Sequence, residues 1–280
     1  MAINLSSLLS DDEQRLLRRI DELYSRADNG VMGFSSFLNM RERFIIENQR
    51  HAILKGDDAS PLCFFWGGYS DAERAVLCVM PSYCRYSLCE DITPNASFRE
   101  ELADVITPLQ IKTSGYVNLA HRDFLGALVG LGIDRAAMGD ILLNDDGAIV
   151  FVNPSVATLI KNELTYIGRD KVKVADVTLP DDFAFLRQFE KIGGTVASAR
   201  LDAVVSELAR TSREGAKSLI DSGFVEHNYF TATRYDREVT SGDVISIRKS
   251  SATKGGKFIV DRIDELSMKG RIRLAARRYI

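Results

Sequence analysis

Between Arg200 and Arg248 the chain carries two short amphipathic helical patterns followed by a hairpin pattern, and this unit constrains the fold more than any other stretch. Leu201, Val204, Val205 and Leu208 recur at the i, i+3, i+4, i+7 spacing of a helix with one buried stripe. A second helix is expected from Thr211, where Thr211-x-x-Glu214 has the spacing of a capping box, each side chain satisfying a backbone N–H at the helix start. Gly223 is placed to end that helix in a left-handed conformation. Arg213 and Lys217 stand four apart and share one face, while Ala216, Leu219 and Ile220 turn toward the first helix. The apolar stripes are thus used up on each other, and the cations face out. Residues 224–228, a Ser241-Gly242-Asp243 turn and residues 244–248 then read as a small hairpin closing over the helices.

The charge is distributed in keeping with that reading. The 280 residues carry a formal net charge of -3, but residues 191–280 hold 17 basic against 11 acidic side chains, a net +6. The remaining 19 basic and 28 acidic residues give residues 1–190 a net −9. Attraction to phosphate depends on a local basic surface, so the whole-chain isoelectric point misleads. Past the hairpin, residues 256–260 and 270–274 read as two further strands, with Arg271 and Arg273 on one face and Ile272 and Leu274 on the other. A basic sheet surface beside a basic helix is expected, of the kind that meets structured RNA through phosphates, 2′-hydroxyls and shape.

The rest of the chain suggests an α+β protein of several domains. Residues 1–70 read as an N-terminal helical region, opened by Ser10 ahead of Asp11, Asp12 and Glu13, with a second helix over 41–54 ending at Gly56. Residues 71–190 read as a central α+β domain, ferredoxin-like or similar to an RNA-recognition fold. Its expected elements are strands at 75–80, 109–112 and 171–177, helices over 97–106 and 122–131, a hairpin around residues 144–147, and a helix from Pro154 to Leu164. A connecting helix over 183–190 and a hinge at Gly193-Gly194 lead into the third domain, 191–280, with its basic C-terminal extension. Cys63, Cys78, Cys84 and Cys89 lack metal-ligand spacing and read as reduced, buried thiols. No run of 18 apolar residues and no basic, apolar leader stands out, so a cytoplasmic protein without a membrane span is expected.

The order Arg200-Leu201-Asp202, Ser212-Arg213, Ala216, Leu219-Ile220, Gly223-x-Val225, Asn228, Gly242-Asp243 and Arg248 resembles the S-four (alpha-L) RNA-binding domain. His227 and Tyr229 depart from its pattern, which has Val and Gly there; an Asn-Gly pair is the preferred two-residue hairpin turn. The resemblance implies RNA contacts at Arg200, Arg210, Arg213, Lys217, Asn228, Arg248 and Lys249, and the basic extension adds Lys257, Arg271 and Arg273. Over most of the chain, His121-Arg122-Asp123-Phe124-Leu125-Gly126, Leu131-Gly132-Ile133, Gly139-Asp140-Ile141-Leu142, Phe65-x-Gly67-Gly68-Tyr69, Ala72-Glu73-Arg74 and Phe37-Leu38 look like the YlmH family of bacterial proteins. That resemblance implies large-subunit rRNA and tRNA as partners, a place in ribosome-associated quality control, and a link to cell division. A further class is a division-associated interaction protein, which would meet protein partners through the acidic N-terminal half.

The competing class is an RNA-modifying enzyme that uses the C-terminal module to hold its substrate. Asp202 is the tempting catalytic residue, since pseudouridine synthases place an Asp in a similar triplet, but here it opens an amphipathic helix and reads as a capping or arginine-pairing group. A methyltransferase needs a Gly-rich loop after a strand, and Gly67-Gly68 precedes one. His121-Arg122-Asp123 sits at a helix start, where Asp123 favours the positive dipole end, and reads as structural or RNA-contacting. The expectation is a non-enzymatic protein with no cofactor, no metal and no catalytic residue.

Overall fold

Ser10 opens the first helix as its sequence suggests: its hydroxyl accepts from the Glu13 N–H and the Glu13 carboxylate accepts from the Ser10 N–H at 2.8 Å. Helix α1 (Asp11–Asp28) buries Leu17, Ile20, Leu23 and Ala27. The computed structural model describes residues 8–55, 60–87, 102, 104–180, 183–185, 187–249, 253–263 and 270–280. Two compact units divide the chain, Met1–Phe185 and Leu186–Ile280.

The N-terminal region, expected to be helical, also contributes strands. Strand β1 (Gly33–Leu38) precedes helices α2 (Met40–Gln49) and α3 (His51–Lys55), and β2 (Leu62–Trp66) and β3 (Ala75–Met80) follow. They form an antiparallel sheet ordered β1-β3-β2. Short apolar runs such as 62–66 carry no period that separates strand from buried helix, and here pairing with β3 decides. The expected helix end at Gly56 lies outside the described residues, as does most of the helix expected over 97–106.

From residue 107 the chain runs β4 (Thr107–Lys112), α4 (His121–Gly130), β5 (Met138–Asn144), β6 (Gly147–Val152), α5 (Pro154–Glu163), a small hairpin of β7 (Tyr166–Ile167) and β8 (Asp170–Lys171), and β9 (Lys173–Asp176). The sheet order β5-β6-β4-β9, antiparallel throughout, is that of the ferredoxin-like β-α-β-β-α-β motif. Strand β6 is buried on both sides. Ala148, Val150 and Val152 pack with α4 and α5, while Ile149 and Phe151 pack with Phe37, Phe64, Trp66 and Tyr69 from the N-terminal part. Gly139 permits this close approach, since a Cβ there would meet the Phe37 ring at 2.6 Å and the Phe151 Cβ at 3.0 Å. The helix-free face of the central sheet is therefore closed by the first sheet.

The second unit is a six-stranded antiparallel sheet ordered β10-β15-β14-β13-β11-β12, with two helices packed on it. Its elements are β10 (Phe189–Val196), α6 (Leu201–Ala209), α7 (Arg213–Asp221), β11 (Val225–His227), β12 (Phe230–Thr231), β13 (Val244–Ile247), β14 (Gly256–Arg262) and β15 (Ile272–Tyr279). Three expectations are corrected here. The connecting helix and the Gly193-Gly194 hinge are replaced by β10, whose eight residues pair with β15 from Phe189↔Tyr279 to Val196↔Ile272. That partner stands some eighty residues away, beyond the reach of any local pattern. Gly194 serves packing rather than bending, because a Cβ there would sit 2.3 Å from the Glu207 carboxylate on α6. The N-cap of α7 is Ser212, not Thr211: the Ser212 hydroxyl accepts from the Gly215 N–H at 3.0 Å.

Candidate nucleic-acid interface

The start of α6 is built without a side-chain cap. Instead, the Leu201 N–H donates to the Arg237 carbonyl at 2.8 Å and the Asp202 N–H to the Tyr235 carbonyl at 3.0 Å, which lays the loop through Tyr235 across the helix start. Asp202 is 0% exposed, yet it accepts from Arg200 Nε at 3.3 Å and from Arg213 Nε and Nη2 at 3.1 and 3.3 Å. Burial by itself works to raise this carboxyl, but the hydrogen bonds from Arg213 and Arg200 outweigh it and hold Asp202 below the ordinary carboxylate value. Both guanidiniums stay partly exposed, at 39% and 47%, so each is held from beneath while its outer edge faces solvent. Lys217, one turn beyond Arg213, places Nζ 5.1 Å from the centre of the Tyr235 ring, and Arg200 places its guanidinium carbon 5.6 Å from it. Arg200, Arg213, Lys217 and the half-exposed Tyr235 thus form one cluster.

The other sequence-derived contacts fall elsewhere. Arg210 ends α6 with φ 51° and lines a pocket of about 270 Å³ with Lys254 and Arg278. Asn228 is withdrawn as a contact: it is buried, its amide donates to Asp243 Oδ1 at 2.7 Å and its carbonyl accepts from the Val244 N–H at 2.8 Å. His227, also buried, places Nε2 2.8 Å from Asp243 Oδ2, so both departures from the resembled pattern lie at one tight turn. Asn228 and Tyr229 adopt φ 50° and 67° between the paired His227 and Phe230, as a two-residue type I′ hairpin requires, although Tyr stands where Gly is preferred.

Cross-strand register places the remaining cations. Ile245 pairs with Phe258 and Gly194 with Leu274 on the face that holds the helices. Ser246 with Lys257, Ile259 with Arg277, Thr195 with Arg273 and Lys191 with Arg277 therefore share the opposite face. Arg248 reaches Glu226 at 3.5 Å, and Arg271 donates to the Thr195 carbonyl at 3.0 Å. Lys249 is exposed just past β13. The basic sheet surface is not beside the basic helices, as the sequence suggested, but on the reverse of the sheet. Aromatic rings are interleaved with it: Lys257 Nζ lies 4.6 Å from the Tyr279 ring and 5.5 Å from the Tyr229 ring, and Arg277 lies 5.0 Å from Phe189. Sequence reasoning missed Tyr235, Lys191 and Arg277. Only an aromatic set between charged neighbours hints at the first, and the second stands between the expected helix over 183–190 and the expected Gly193-Gly194 hinge, where no strand is signalled.

Cys63, Cys78 and Cys84 are buried and unbridged, and burial pushes the Cys78 thiol well above the ordinary value. Among the described residues no group of three or more His, Cys, Asp or Glu side chains is arranged to hold a metal ion, and no helix is long and apolar enough to cross a membrane.

A family model described as a putative RNA-binding domain in YlmH matches residues 100–181, the central sheet domain. The chain is 30% identical over 217 residues to the ribosome-associated protein quality control protein P2 of Bacillus subtilis (strain 168), covering 78% of this chain and 77% of that protein. The chain belongs to the YlmH family. Among solved structures, it is similar to the cell division protein ylmH from Streptococcus pneumoniae, with a TM-score of 0.44 and 22% identity over 61% of this chain and 93% of that one. In this YlmH-family chain the family model covers the ferredoxin-like domain, while the Asp202 cluster lies in the second unit.

Proposed function

We propose that this protein is a non-enzymatic RNA-binding protein that docks on the large ribosomal subunit and its tRNA through residues 187–280, in ribosome-associated quality control. The observation that carries this reading is the buried Asp202 carboxylate holding Arg200 and Arg213 at a helix face beside Lys217 and Tyr235. Arginines orientated from below present their free donors to phosphate with less ordering cost. The same arrangement occupies the Asp202 oxygens, which favours a positioning role over catalysis. The Bacillus subtilis relative bears the name of a quality-control protein of the ribosome, and the family model matched over residues 100–181, in the first unit, is described as a putative RNA-binding domain, which supports RNA binding by the chain as a whole. Two basic surfaces on opposite faces of one sheet suit contact with two RNA segments, as rRNA and tRNA would supply.

Arg213→Ala is a poor test, because it also strips a partner from a buried carboxylate. Lys217→Glu on the helix side and Arg273→Glu on the sheet side are better. Each is expected to weaken co-sedimentation with ribosomes and to lower the slope of log affinity against log salt by about 1 or more, the signature of one lost phosphate contact. Undiminished co-sedimentation of the double variant would overturn the reading.

A further inference from the structure

In RNA-recognition domains of this topology the helix-free sheet face carries the aromatic rings on which bases stack. Here that face is buried: Phe151 is 0% exposed and Gln110 8%, covered by the N-terminal sheet. RNA reaching this domain must meet another surface, and the fold offers one. A pocket of about 640 Å³ opens between the first turns of α4 and the β7–β8 hairpin, lined by Asn118, Leu119, Arg122, Ala127, Ile167 and Arg169 among others. A second pocket of about 330 Å³ adjoins it, sharing Val117, Asn118 and Leu119 and including Tyr116. These volumes fall in the range of small-ligand sites, about 300–1,000 Å³.

The walls are held rather than loose. Asp170, 2% exposed at the hairpin, accepts from the Ser114 N–H at 3.2 Å and from the Ser114 hydroxyl, which ties the segment leading to Tyr116 against β8. The floor is apolar, with Ile167 1% exposed. The rim carries two arginines and one carboxylate: the Arg122 side chain is 89% exposed, and Asp123, which also lines the pocket 3.9 Å from Arg122, is engaged by the Ala120 N–H at 2.8 Å. Arg169 is exposed on the hairpin. Tyr116 is 94% exposed and contributes almost nothing to the core, but a ring so placed offers a stacking surface. An apolar floor, two arginines and an open aromatic ring match the parts of a nucleotide: a flat base and a phosphate.

We propose that these two adjoining pockets together bind one unpaired nucleotide of an RNA strand, its base against the apolar floor and Tyr116 and its phosphate taken by Arg122 and Arg169. The proposal rests on the RNA-binding reading above but uses a different unit of the molecule, so the two can fail separately. Full-length protein is irradiated with a 4-thiouridine-substituted pentauridylate, and the adducts are mapped by mass spectrometry. Adducts are expected both at residues 114–122 and within 187–280. Arg122→Glu combined with Arg169→Glu, two exposed positions, is expected to cut the first set about tenfold and leave the second unchanged, with the circular dichroism of the wild type. Adducts confined to 187–280, or an unchanged yield at 114–122 in the double variant, would overturn the proposal and leave the ribosome-docking reading standing. Adducts at 114–122 alone would support the pocket while removing the RNA role of the second unit, and none in either place would overturn both.

Discussion

Asp202 shows how one residue can serve fold and surface together. Its carboxylate is out of water, its charge is matched by two arginines, and the depressed carboxyl is a contribution to stability. Because the folded value lies below the unfolded one, the contribution is complete above the unfolded value near about pH 4 and is lost as pH falls through the folded value. Asp202→Asn is expected to cost about 1.5–3 kcal/mol at neutral pH, the worth of hydrogen bonds to charged groups, measured by urea unfolding. The difference from wild type should hold constant from pH 5 to 8 and shrink below about pH 4; a difference that grows on acidification would contradict the assignment. A structural role for Asp202, capping or pairing with arginine, was legible in the sequence; only the structure chooses pairing, since the start of α6 has no side-chain cap. The burial of Asn228 was not, because its amide and carbonyl are consumed by Asp243 and Val244, fifteen and sixteen residues on.

At the scale of elements, helices and tight turns were the readable part. The i, i+3, i+4, i+7 stripe of α6 became Leu201, Val204, Val205 and Leu208 in the core, and the hairpin at residues 144–147 formed where a polar, Gly-ended turn separates two apolar runs. Three strands were missed: β1, in a region read as helical and with its partner beyond two helices; β2, a short apolar run there with no period of its own; and β10, in place of a helix and hinge. Glycine illustrates why local rules run out. Gly126 and Gly139 look alike in sequence, but a Cβ at Gly126 meets nothing within 4 Å while one at Gly139 meets Phe37 at 2.6 Å. Gly139→Ala is expected to destabilise by about 1–3 kcal/mol through overpacking between the two sheets. Gly126→Ala, in the exposed middle of α4, is expected to stabilise by about 0.5–1 kcal/mol. Urea midpoints of the two variants moving in the same direction would contradict the sheet-on-sheet packing.

For the whole molecule, the division into two units has a thermodynamic counterpart. Among the described residues, the core of the second unit, from Ile192 through Ala276, draws only on residues of that unit. A fragment of residues 187–280 is accordingly expected to unfold cooperatively in urea by itself, with two-state behaviour; gradual unfolding would show that its core depends on the first unit. By itself the sequence determined the helix faces, the turns, the charge asymmetry between the two parts and the cations of the second unit, because these depend on neighbours a few residues apart. Only tertiary structure decided that the helical and sheet cations lie on opposite faces, that Tyr235 joins the first group, and that the central sheet spends its open face on the N-terminal sheet. Each of these is a matter of strand order and register between segments far apart in the chain, and side-chain alternation along one strand cannot say what will cover either face.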